Sequence, residues 1–359
     1  MKILISGLLS EYSSNWSFVK SFQNLGFETI LIDDEGEYWK NFPFKKPNLL
    51  RRILHRLLWK FLSKELNKLL LKKVKEAKPD LIFIIKGWFY HPKTIEKLKK
   101  ISPNSKLFCF NPDNPFNTWH HGVSNEWIRK SIPYYDVYFI WGKFLIEKLY
   151  KAGAKKVEYL PFAYDPEVHF PIEVKNLKER EYYGSDVAFI GTWDKEREWW
   201  LNHLIDYNLK IWGNDWNRAN KKLKEKWMKK PAYGEEFAKI CNSSKIILNI
   251  IRKQNVPSHN MRTFEAPACK AFVLSTRTEE AKEFFEEDKE CAYFSTPEEL
   301  KEKIDFYLKN DELRKKIAEA GYQKVKNHTY FERAKKILEV YNHNADLRMS
   351  ANFVNDNAN

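Results

Sequence analysis

Residues 259–275 read HNMRTFEAPACKAFVLS and join a short helix to a buried strand. Ser258 or Asn260 can serve as the N-cap of a helix over residues 262–269. The apolar residues 271–275 that follow it favour a strand. Helices that alternate with short apolar strands build parallel sheets, so this stretch predicts an α/β fold.

The same alternation extends to both ends of the chain. We predict strands at 3–6, 27–32, 81–85, 106–110 and 137–141 in the first half, and at 186–190, 209–212, 245–250, 271–275 and 292–294 in the second. Apolar strands of about five residues, separated by helices, are typical of parallel sheets covered on both faces. The charged, Pro-containing segment 162–184 interrupts the pattern, so we expect two doubly wound halves joined by a linker.

The composition is that of a globular protein with an excess of positive charge. Of the 359 residues, 43% are hydrophobic and 31% are charged, which excludes a disordered or collagen-like chain. Lys and Arg outnumber Asp and Glu by 62 to 48, and the net charge of +14 favours acidic partners. Because no Cys-x-x-Cys motif occurs, we expect reduced, buried thiols at Cys109, Cys241, Cys269 and Cys291.

Most of the positive charge lies in one segment. Residues 40–78 contain 13 Lys or Arg and two acids, which is +11 of the +14. Within it, residues 51–73 carry Leu and aromatic residues at helical spacing. Two interpretations stay open: a helix that lies on an anionic membrane with Trp59 and Phe61 near the headgroups, or a core helix with a solvated Lys face. We do not expect a nucleic acid partner, since the run matches no known binding module.

Ligands of doubly wound sheets bind beyond the carboxyl ends of the strands. That rule and the 259–265 segment give our candidate ligand-binding residues, which are Gly7, Gly191, Thr192, Arg197, Trp212, Asn249, Arg252, His259, Asn260, Arg262, Thr263 and Glu265. After Gly191, Asp194 is a plausible N-cap, and a helix start beside Arg197 attracts phosphate, although an ordinary turn has the same residues. For Trp212, stacking on a base or sugar and packing in the core both stay open.

Arg262 and Glu265 are three residues apart and share one face of the predicted helix. A carboxylate in the first turn of a helix is suited to accept hydrogen bonds from two ribose hydroxyls, and the arginine can offset diphosphate charge. The alternative is an exposed intrahelical ion pair, worth only about 0.3–0.5 kcal/mol.

Four segments resemble CgeB-like glycosyltransferases, the spore-maturation-protein group of the GT-B superfamily. They are RTFEAPACKAFVL at 262–274, LPFAYDPEVHFP at 160–171, SSKIILNI at 243–250 and FNPDNP at 110–115. The first is similar to the family's R-x-F-E-A-x-A-x-G-x-x-x-L segment and the second to its interdomain linker, L-P-x-G-x-D-x-x-x-F-x-P. The third is similar to the strand before the Glu helix, and the fourth to the aspartate-proline loop of the acceptor domain.

The resemblance implies an α/β protein of the GT-B fold, with two Rossmann-like, doubly wound parallel-sheet domains that face a cleft. It implies an acceptor-binding domain at 1–163, a nucleotide-sugar donor-binding domain at 164–329, a helix at 330–343 that crosses back to the first domain, and a disordered tail at 344–359. By match of position, Glu265 would bind the donor ribose. The residues around the diphosphate would be Gly191, Arg197, Asn249 and Arg262.

The chain departs from the family pattern at three positions. Many related transferases carry an E-x7-E pair, and Pro257 stands at the position of its first Glu. Lys270 replaces the glycine that usually follows the helix, which would alter the turn or add a positive group near phosphate. Ala163 replaces the linker glycine.

An inverting transferase needs a general base within about 3 Å of the acceptor hydroxyl. Asp113 is our first candidate and His91 our second, followed by His120 and His121. A histidine can instead be a structural hydrogen-bonding group, and Asp113 can form an Asx turn. In a retaining enzyme, Asp113 would orient the acceptor. The chain has no Asp-x-Asp motif and GT-B enzymes usually neutralise the diphosphate with Arg or Lys, so we predict no required metal.

We therefore predict a glycosyltransferase of the hexosyltransferase type. It would move a sugar from a UDP-, GDP- or dTDP-sugar to a hydroxyl of a glycan, a glycolipid or a protein-linked acceptor, without a bound cofactor. We expect it in the cytoplasm or at the inner membrane face. Two alternatives stay open: a basic peripheral binding protein that has lost catalysis on this scaffold, and a nucleotide-sugar epimerase.

Overall fold

The computed structural model describes residues 1–40, 42, 49–117 and 123–356. It consists of two compact units. Unit 1 comprises Met1–Pro161 and Tyr330–Asn359, and unit 2 comprises Phe162–Thr329. Each unit contains one parallel β-sheet, which confirms the predicted α/β class with two sheets.

Unit 1 has a six-stranded parallel sheet in the order β2-β1-β3-β4-β5-β6. Its strands are β1 (Lys2–Gly7), β2 (Glu28–Asp33), β3 (Leu81–Ile85), β4 (Lys106–Asn111), β5 (Val137–Ile140) and β6 (Val157–Tyr159). All five residues of β3 are buried, as expected for a strand covered on both faces. The short edge strand β6 is not among the predicted strands.

The helices within Met1–Pro161 are α1 (Ser14–Asn24), α2 (Asp34–Lys40), α3 (Leu49–Leu62), α4 (Lys64–Ala77), α5 (Pro92–Ile101), α6 (Glu126–Ser131) and α7 (Ile146–Lys151). The basic region is thus two helices that meet at Ser63, whose hydroxyl donates to the carbonyl of Trp59 at 2.6 Å. Because this hydroxyl hydrogen-bonds to a carbonyl one turn earlier, it competes with the backbone hydrogen bonds of a continuous helix and favours a break at Ser63.

Unit 2 has a five-stranded parallel sheet in the order β11-β10-β9-β7-β8. Its strands are β7 (Val187–Ile190), β8 (Leu209–Trp212), β9 (Ile246–Asn249), β10 (Val273–Thr276) and β11 (Ala292–Phe294). Its helices are α8 (Leu177–Tyr183), α9 (Lys195–Asn202), α10 (Lys221–Lys226), α11 (Gly234–Ser243), α12 (Arg262–Ala268), α13 (Glu279–Phe284), α14 (Pro297–Lys309) and α15 (Asp311–Val325). Apolar residues from the strands, α9, α14 and α15 form one core cluster.

The last helix, α16 (Tyr330–Asp356), belongs to unit 1. Tyr330 packs edge-on against Phe18 of α1, with ring centroids 5.1 Å apart. The guanidinium of Arg333 donates to the carbonyl of Pro161 at 2.9 Å. The helix continues past residue 343, where the sequence analysis placed the start of a tail.

Both sheets reverse their strand order at an interior strand. In unit 1 the chain begins at β1, places β2 on one side and then β3 on the other, and in unit 2 it does the same with β7, β8 and β9. At such a reversal the connections leave in opposite directions and open a crevice beyond the carboxyl ends of the two strands. The topology therefore selects the end of β1 and β3 in unit 1, and the end of β7 and β9 in unit 2.

Candidate active site

Three arginines lie around the loop that follows β7 in unit 2. Asp194 caps α9 by accepting a hydrogen bond from the backbone N–H of Arg197 at 2.9 Å, as predicted. The Arg197 guanidinium donates back to the carbonyl of Thr192 at 2.8 Å. Arg252 donates to the second carboxylate oxygen of Asp194 at 2.8 Å, and Arg262 donates to the carbonyl of Ile190 at 3.3 Å.

This arginine group is built to attract an anion. Burial, and then the neighbouring charges of Arg252 and Arg262, lower the pKa of the Arg197 guanidinium to about 9, although Asp194 partly opposes them. Its side chain is 13% exposed. The Nε of Arg197 is 3.6 Å from Oδ2 of Asp194, and among the described residues no acceptor forms a hydrogen bond with it. A buried, unsatisfied N–H beside two further cations is a site that an anionic oxygen would stabilise.

Glu265 lies in the first turn of α12 and is held by two partners. The guanidinium of Arg262 donates to its Oε2 at 2.7 Å, and the Nε2 of His169 is 3.7 Å from its Oε1. Glu265 is 9% exposed and Arg262 is 21% exposed, so this is not the exposed surface pair that the sequence left open. Each carboxylate oxygen has a second lone pair, so Glu265 can still accept hydrogen bonds from ribose hydroxyls.

His169 approaches Glu265 as a neutral ring. Its Nδ1 accepts a hydrogen bond from the backbone N–H of Asp165 at 3.4 Å, which leaves the proton on Nε2. Burial lowers the pKa of His169 and outweighs the opposing charge of Glu265. The ring therefore supports the carboxylate as an N–H group.

A polar network fixes the end of β9 to the start of α12. The side-chain amide of Asn249 donates to Ser275 at 3.1 Å and to Thr263 at 3.4 Å, and its oxygen accepts from Asn260 at 2.8 Å. The N-cap of α12 is Met261 and has no side-chain cap, but Asn260 accepts a hydrogen bond from the backbone N–H of Thr263 at 3.1 Å at the start of the helix. These side chains position α12 and its Glu265, and a direct contact with the donor stays a prediction for each of them.

Two of the predicted ligand-binding rings have no exposed surface. His259 is 0% exposed, accepts from the backbone N–H of Phe162 at 3.2 Å and lies 3.0 Å from the hydroxyl of Ser258. Trp212 is also 0% exposed and stacks on Tyr183 at 5.8 Å. Trp212 therefore packs in the core, and we leave both rings out of the donor site proposed below.

Gly191 makes room for an arginine and has both backbone groups engaged. Its N–H donates to the carbonyl of Trp212 at 2.8 Å, and its carbonyl accepts from the indole of Trp216 at 2.9 Å. A Cβ at this position would lie 3.0 Å from the ring of Phe189 and 3.3 Å from the guanidinium of Arg197. Its N–H is thus already bonded, and the arginines are the cationic donors of this loop.

In unit 1, Asp113 forms an ion pair at the carboxyl end of the sheet. Its Oδ2 is 2.6 Å from the Nζ of Lys86, which follows β3, and the side chains are 30% and 25% exposed. Gly7 ends β1, and a Cβ there would be 2.7 Å from the amide of Asn15, so the glycine permits close packing on α1. Asp113 also donates its backbone N–H to the side chain of Asn111 at 3.0 Å. The loop therefore presents a partly exposed carboxylate with one oxygen paired.

The end of β2 carries a second, buried carboxyl group. Asp34 is 5% exposed, and burial together with the charges of Glu35 and Asp33 raises its pKa to about 8, against the opposing charge of Lys86. Nearby, the hydroxyls of Ser6 and Tyr90 lie 2.6 Å apart. Asp34 therefore holds its proton at neutral pH, unlike an exposed aspartate.

His91 has a structural function. Its Nδ1 accepts from the backbone N–H of Lys93 at 3.1 Å and so caps α5. Burial and the charges of Lys93, Lys130 and Lys60 lower its pKa. Because Nδ1 is the acceptor, Nε2 carries the proton, and the ring is poorly suited to act as a base. His120 and His121, the third candidates, lie outside the described residues.

The structure gives local detail for two of the three departures from the family pattern, Lys270 and Ala163. Lys270 has a φ of +60°, the left-handed conformation for which glycine is favoured at this place. Its ammonium pairs with Glu319 at 2.5 Å. Its charge is thus engaged by α15, and Ala163 is 0% exposed in the core of unit 2.

Sequence reasoning missed three contributors to these sites. The sequence did not single out Lys86, and it indicated Asp194 only as a cap and His169 only as part of a linker motif. Their partners lie 27, 58 and 96 residues away in the chain. Such pairs form only after the strands have aligned, so local spacing gives no signal for them.

The described residues contain no group of three or more His, Cys, Asp or Glu that could hold a metal ion. Within the same part of the chain, every helix is too short or too polar to cross a bilayer.

The chain resembles known proteins in sequence over part of its length and in fold over nearly all of it. Residues 195–339 match a family model described as glycosyl transferase-like. No curated protein sequence matches the chain. Among solved structures, sucrose-phosphate synthase from Thermosynechococcus elongatus is similar with a TM-score of 0.70 at 10% identity, covering 97% of this chain and 100% of that one.

Two further solved structures share the fold. Anabaena Alr3699/HepE in complex with UDP-glucose has a TM-score of 0.64 at 10% identity and covers 96% of this chain and 100% of its own. A glycosyltransferase from Rickettsia africae has a TM-score of 0.63 at 17% identity and covers 95% and 98%. The chain therefore has the GT-B fold and contains a glycosyltransferase-like domain.

Proposed function

We propose that this protein transfers a sugar from a nucleotide-diphosphate sugar to an acceptor hydroxyl. The observation that carries the proposal is the arginine group after β7, with the unsatisfied Nε of Arg197 at the point where the sheet of unit 2 reverses its order. Helix starts and arginines at such a point are suited to bind a diphosphate. The glycosyl transferase-like match to residues 195–339 includes all three arginines.

Each donor group has a partner of suitable chemistry in unit 2. Arg197, Arg252 and Arg262 bind the diphosphate, and Glu265 accepts hydrogen bonds from the ribose hydroxyls. When the bond between the sugar C1 and the phosphate oxygen breaks, its electron pair goes to the diphosphate. Fixed cations stabilise that developing charge most when they are already in place, as the hydrogen bonds of Arg197 and Arg252 ensure.

In unit 1, we assign the general base to Asp113. Lys86 occupies its Oδ2, which leaves Oδ1 to receive the proton of the acceptor hydroxyl as the oxygen attacks C1. The carboxyl of Asp34 is a poor alternative because its raised pKa keeps it protonated at neutral pH. This assignment describes an inverting reaction. In a retaining one, Asp113 would orient the acceptor instead.

The finer predictions stay part of this proposal. They are the CgeB-like subtype, a hexosyl group as the transferred sugar, metal independence, and a glycan, glycolipid or protein-linked acceptor. HepE is described in complex with UDP-glucose, and this favours a UDP-sugar as the first donor to test. A cytoplasmic protein with access to the inner membrane face would be consistent with a lipid-linked acceptor.

The proposal is tested with a panel of UDP-, GDP- and dTDP-sugars, assayed for hydrolysis and for transfer to mixed acceptors, with and without EDTA. We expect turnover of one donor class that EDTA does not abolish. An epimerase would instead convert the donor without any acceptor, which product analysis detects. If no sugar nucleotide is turned over and none raises the melting temperature at millimolar concentration, the transferase assignment is wrong.

A further inference from the structure

The outer face of α3 carries large apolar side chains that none of the described residues of unit 1 covers. Leu57 is 71% exposed, Phe61 is 62% exposed and Ile53 is 47% exposed. They are spaced four residues apart and therefore form one stripe along the helix. Leu58, at 39%, extends the stripe to one side. Single exposed apolar residues are common, but a contiguous stripe of this kind marks an interaction surface.

The opposite face of α3 is fixed to unit 1. The ring of Trp59 lies 4.5 Å from that of Trp127 and 6.2 Å from that of Trp88, and His55 is 2.9 Å from the hydroxyl of Tyr38. In the membrane interpretation that the sequence leaves open, both Trp59 and Phe61 would lie near the headgroups, but the ring of Trp59 packs against Trp88 and Trp127 while Phe61 is exposed. The stripe is thus not the core-facing side of a helix.

Cations accompany the stripe. Arg56, Lys60 and Lys64 are exposed on the same helix or at the start of α4, and the Nζ of Lys64 is 4.5 Å from the ring centre of Phe61. The two acids within 40–78, Glu65 and Glu76, each pair with a lysine of α4. Glu126 of α6 pairs with Lys60 and Lys130. The surface is therefore apolar along its centre and strongly positive around it.

We infer that the outer face of α3 binds an anionic lipid bilayer, with Ile53, Leu57 and Phe61 entering the headgroup region. Apolar residues on one face of a basic helix enter the boundary between headgroups and acyl chains, while Lys and Arg gain from the negative surface potential. A nucleic acid would use the cations but would have no use for the aliphatic side chains. A bilayer accounts for both.

This inference adds a location to the proposed function but is tested without it. Purified protein is sedimented with vesicles of phosphatidylcholine alone or mixed with phosphatidylglycerol, in the absence of any nucleotide. We expect binding to the anionic vesicles at least tenfold tighter than to the neutral ones, and we expect it to weaken as salt is raised. Vesicle binding should remain even if the protein transfers no sugar, and sugar transfer should remain even if the protein binds no vesicles.

Two variants separate the apolar and the charged contributions. Leu57→Ser with Phe61→Ser should lower the vesicle partition coefficient at least tenfold, and Arg56→Gln with Lys64→Gln should abolish the preference for anionic vesicles. Leu177→Ser is the matched control, because Leu177 is 77% exposed on α8 of unit 2 and should not matter. All these side chains are exposed, so melting temperatures should be unchanged.

A fluorophore gives an independent measurement of insertion. The four native cysteines are buried, so Leu57→Cys introduces a thiol that can be labelled selectively. An environment-sensitive dye there should shift to the blue on anionic vesicles, and the same dye at Leu177→Cys should not.

Three results would overturn the inference. The first is vesicle binding that the Leu57/Phe61 variant retains. The second is binding to single-stranded RNA that is as tight as binding to vesicles and that the Leu57/Phe61 variant retains. The third is a dimer in sedimentation velocity that Phe61→Ser dissociates, since the stripe would then be a contact between two copies.

Discussion

The two sheets reverse their strand order in the same way, yet the two crevices have opposite chemistry. In unit 2, three arginines lie after β7 and β9, with Asp194 bridging two of them. In unit 1, Asp34 and Asp113 follow β2 and β4, and Lys86 is the cation paired with Asp113. The topology therefore determines where a ligand binds, and the loop residues determine its charge.

This difference suits two substrates of one reaction. The arginine-rich crevice is suited to a diphosphate, and the carboxylate crevice is suited to a neutral hydroxyl that must lose a proton. Variants of the two crevices should therefore fail in different ways, through turnover in unit 1 and through nucleotide affinity in unit 2.

The largest effect is expected for Asp113→Asn. An amide cannot accept the acceptor proton, so kcat should fall by roughly 10²–10⁴-fold while the affinity for nucleotide is unchanged. Steady-state kinetics and calorimetry measure the two quantities. A variant with wild-type kcat would remove Asp113 from the mechanism.

Asp34→Asn should stabilise the protein at high pH. The pKa of Asp34 is about 8 in the folded state and 3.8 in the unfolded chain, where water surrounds the carboxyl group. Between these two pH values the native state keeps a proton that the unfolded state has released. The free energy of unfolding therefore falls as pH rises from about 4 to about 8. The variant should lose this slope, and because the shift is about four pKa units it should be several kcal/mol more stable than the wild type at pH 9.

Urea unfolding of both proteins at pH 4, 6, 8 and 9 checks this prediction. The two curves should nearly coincide at pH 4 and diverge steadily up to pH 8. Parallel dependence on pH in both proteins would show that Asp34 is ionised in the native state, and Asp34 would then become a candidate base.

Arg197→Ala should weaken donor binding by roughly 10- to 150-fold, the value of a charged hydrogen bond of about 1.5–3 kcal/mol. Turnover at saturating donor should also fall, because Arg197 stabilises the charge that develops on the leaving diphosphate. Arg180→Ala is the control, since Arg180 bonds the carbonyl of Val174 outside the arginine group. Equal losses in both variants would point to general charge rather than to the site.

Glu265→Ala should weaken binding of a nucleoside diphosphate by about 1–3 kcal/mol, because the ribose loses its acceptor. Binding of a 2′,3′-dideoxynucleotide, which has no ribose hydroxyls to donate, should be little affected. Equal losses for both ligands would mean that Glu265 acts only by holding Arg262.

Lys270→Gly should give the smallest effect. Glycine adopts the left-handed conformation without the Cβ penalty, which favours the variant by about 1 kcal/mol. Loss of the partly exposed ion pair with Glu319 offsets a few tenths of a kcal/mol of this gain in stability. Thermal unfolding should therefore show a small rise in melting temperature with unchanged nucleotide affinity. A fall in affinity would place Lys270 near phosphate after all.

The fold was predictable because its signals are local. Ser13 and Asp194 cap their helices, and Gly26 ends α1 with a φ of +82°, as their positions in the sequence indicate. Strands β3, β8 and β11 begin and end where the apolar runs do. The edge strand β6 was missed because its three residues form no apolar run.

The candidate site was only partly predictable. Arg197, Arg262 and Glu265 were found because a strand end and a helix start lie beside them in the chain. The burial of His259 was not predicted, and for Trp212 core packing was only one of two open interpretations, since aromatic and polar residues after a strand look alike whether they face solvent or the core. The ion pair between Lys86 and Asp113 depends on the alignment of two strands, which the sequence does not record.

Calorimetry with UDP, GDP and dTDP in EDTA, on the wild type and on Arg197→Ala and Asp113→Asn, tests the central claim most directly. At least one nucleotide should bind the wild type and Asp113→Asn equally and bind Arg197→Ala at least tenfold more weakly. A nucleotide that binds Arg197→Ala as tightly as the wild type, or whose affinity depends on Asp113 instead, would contradict the division of tasks between the two crevices.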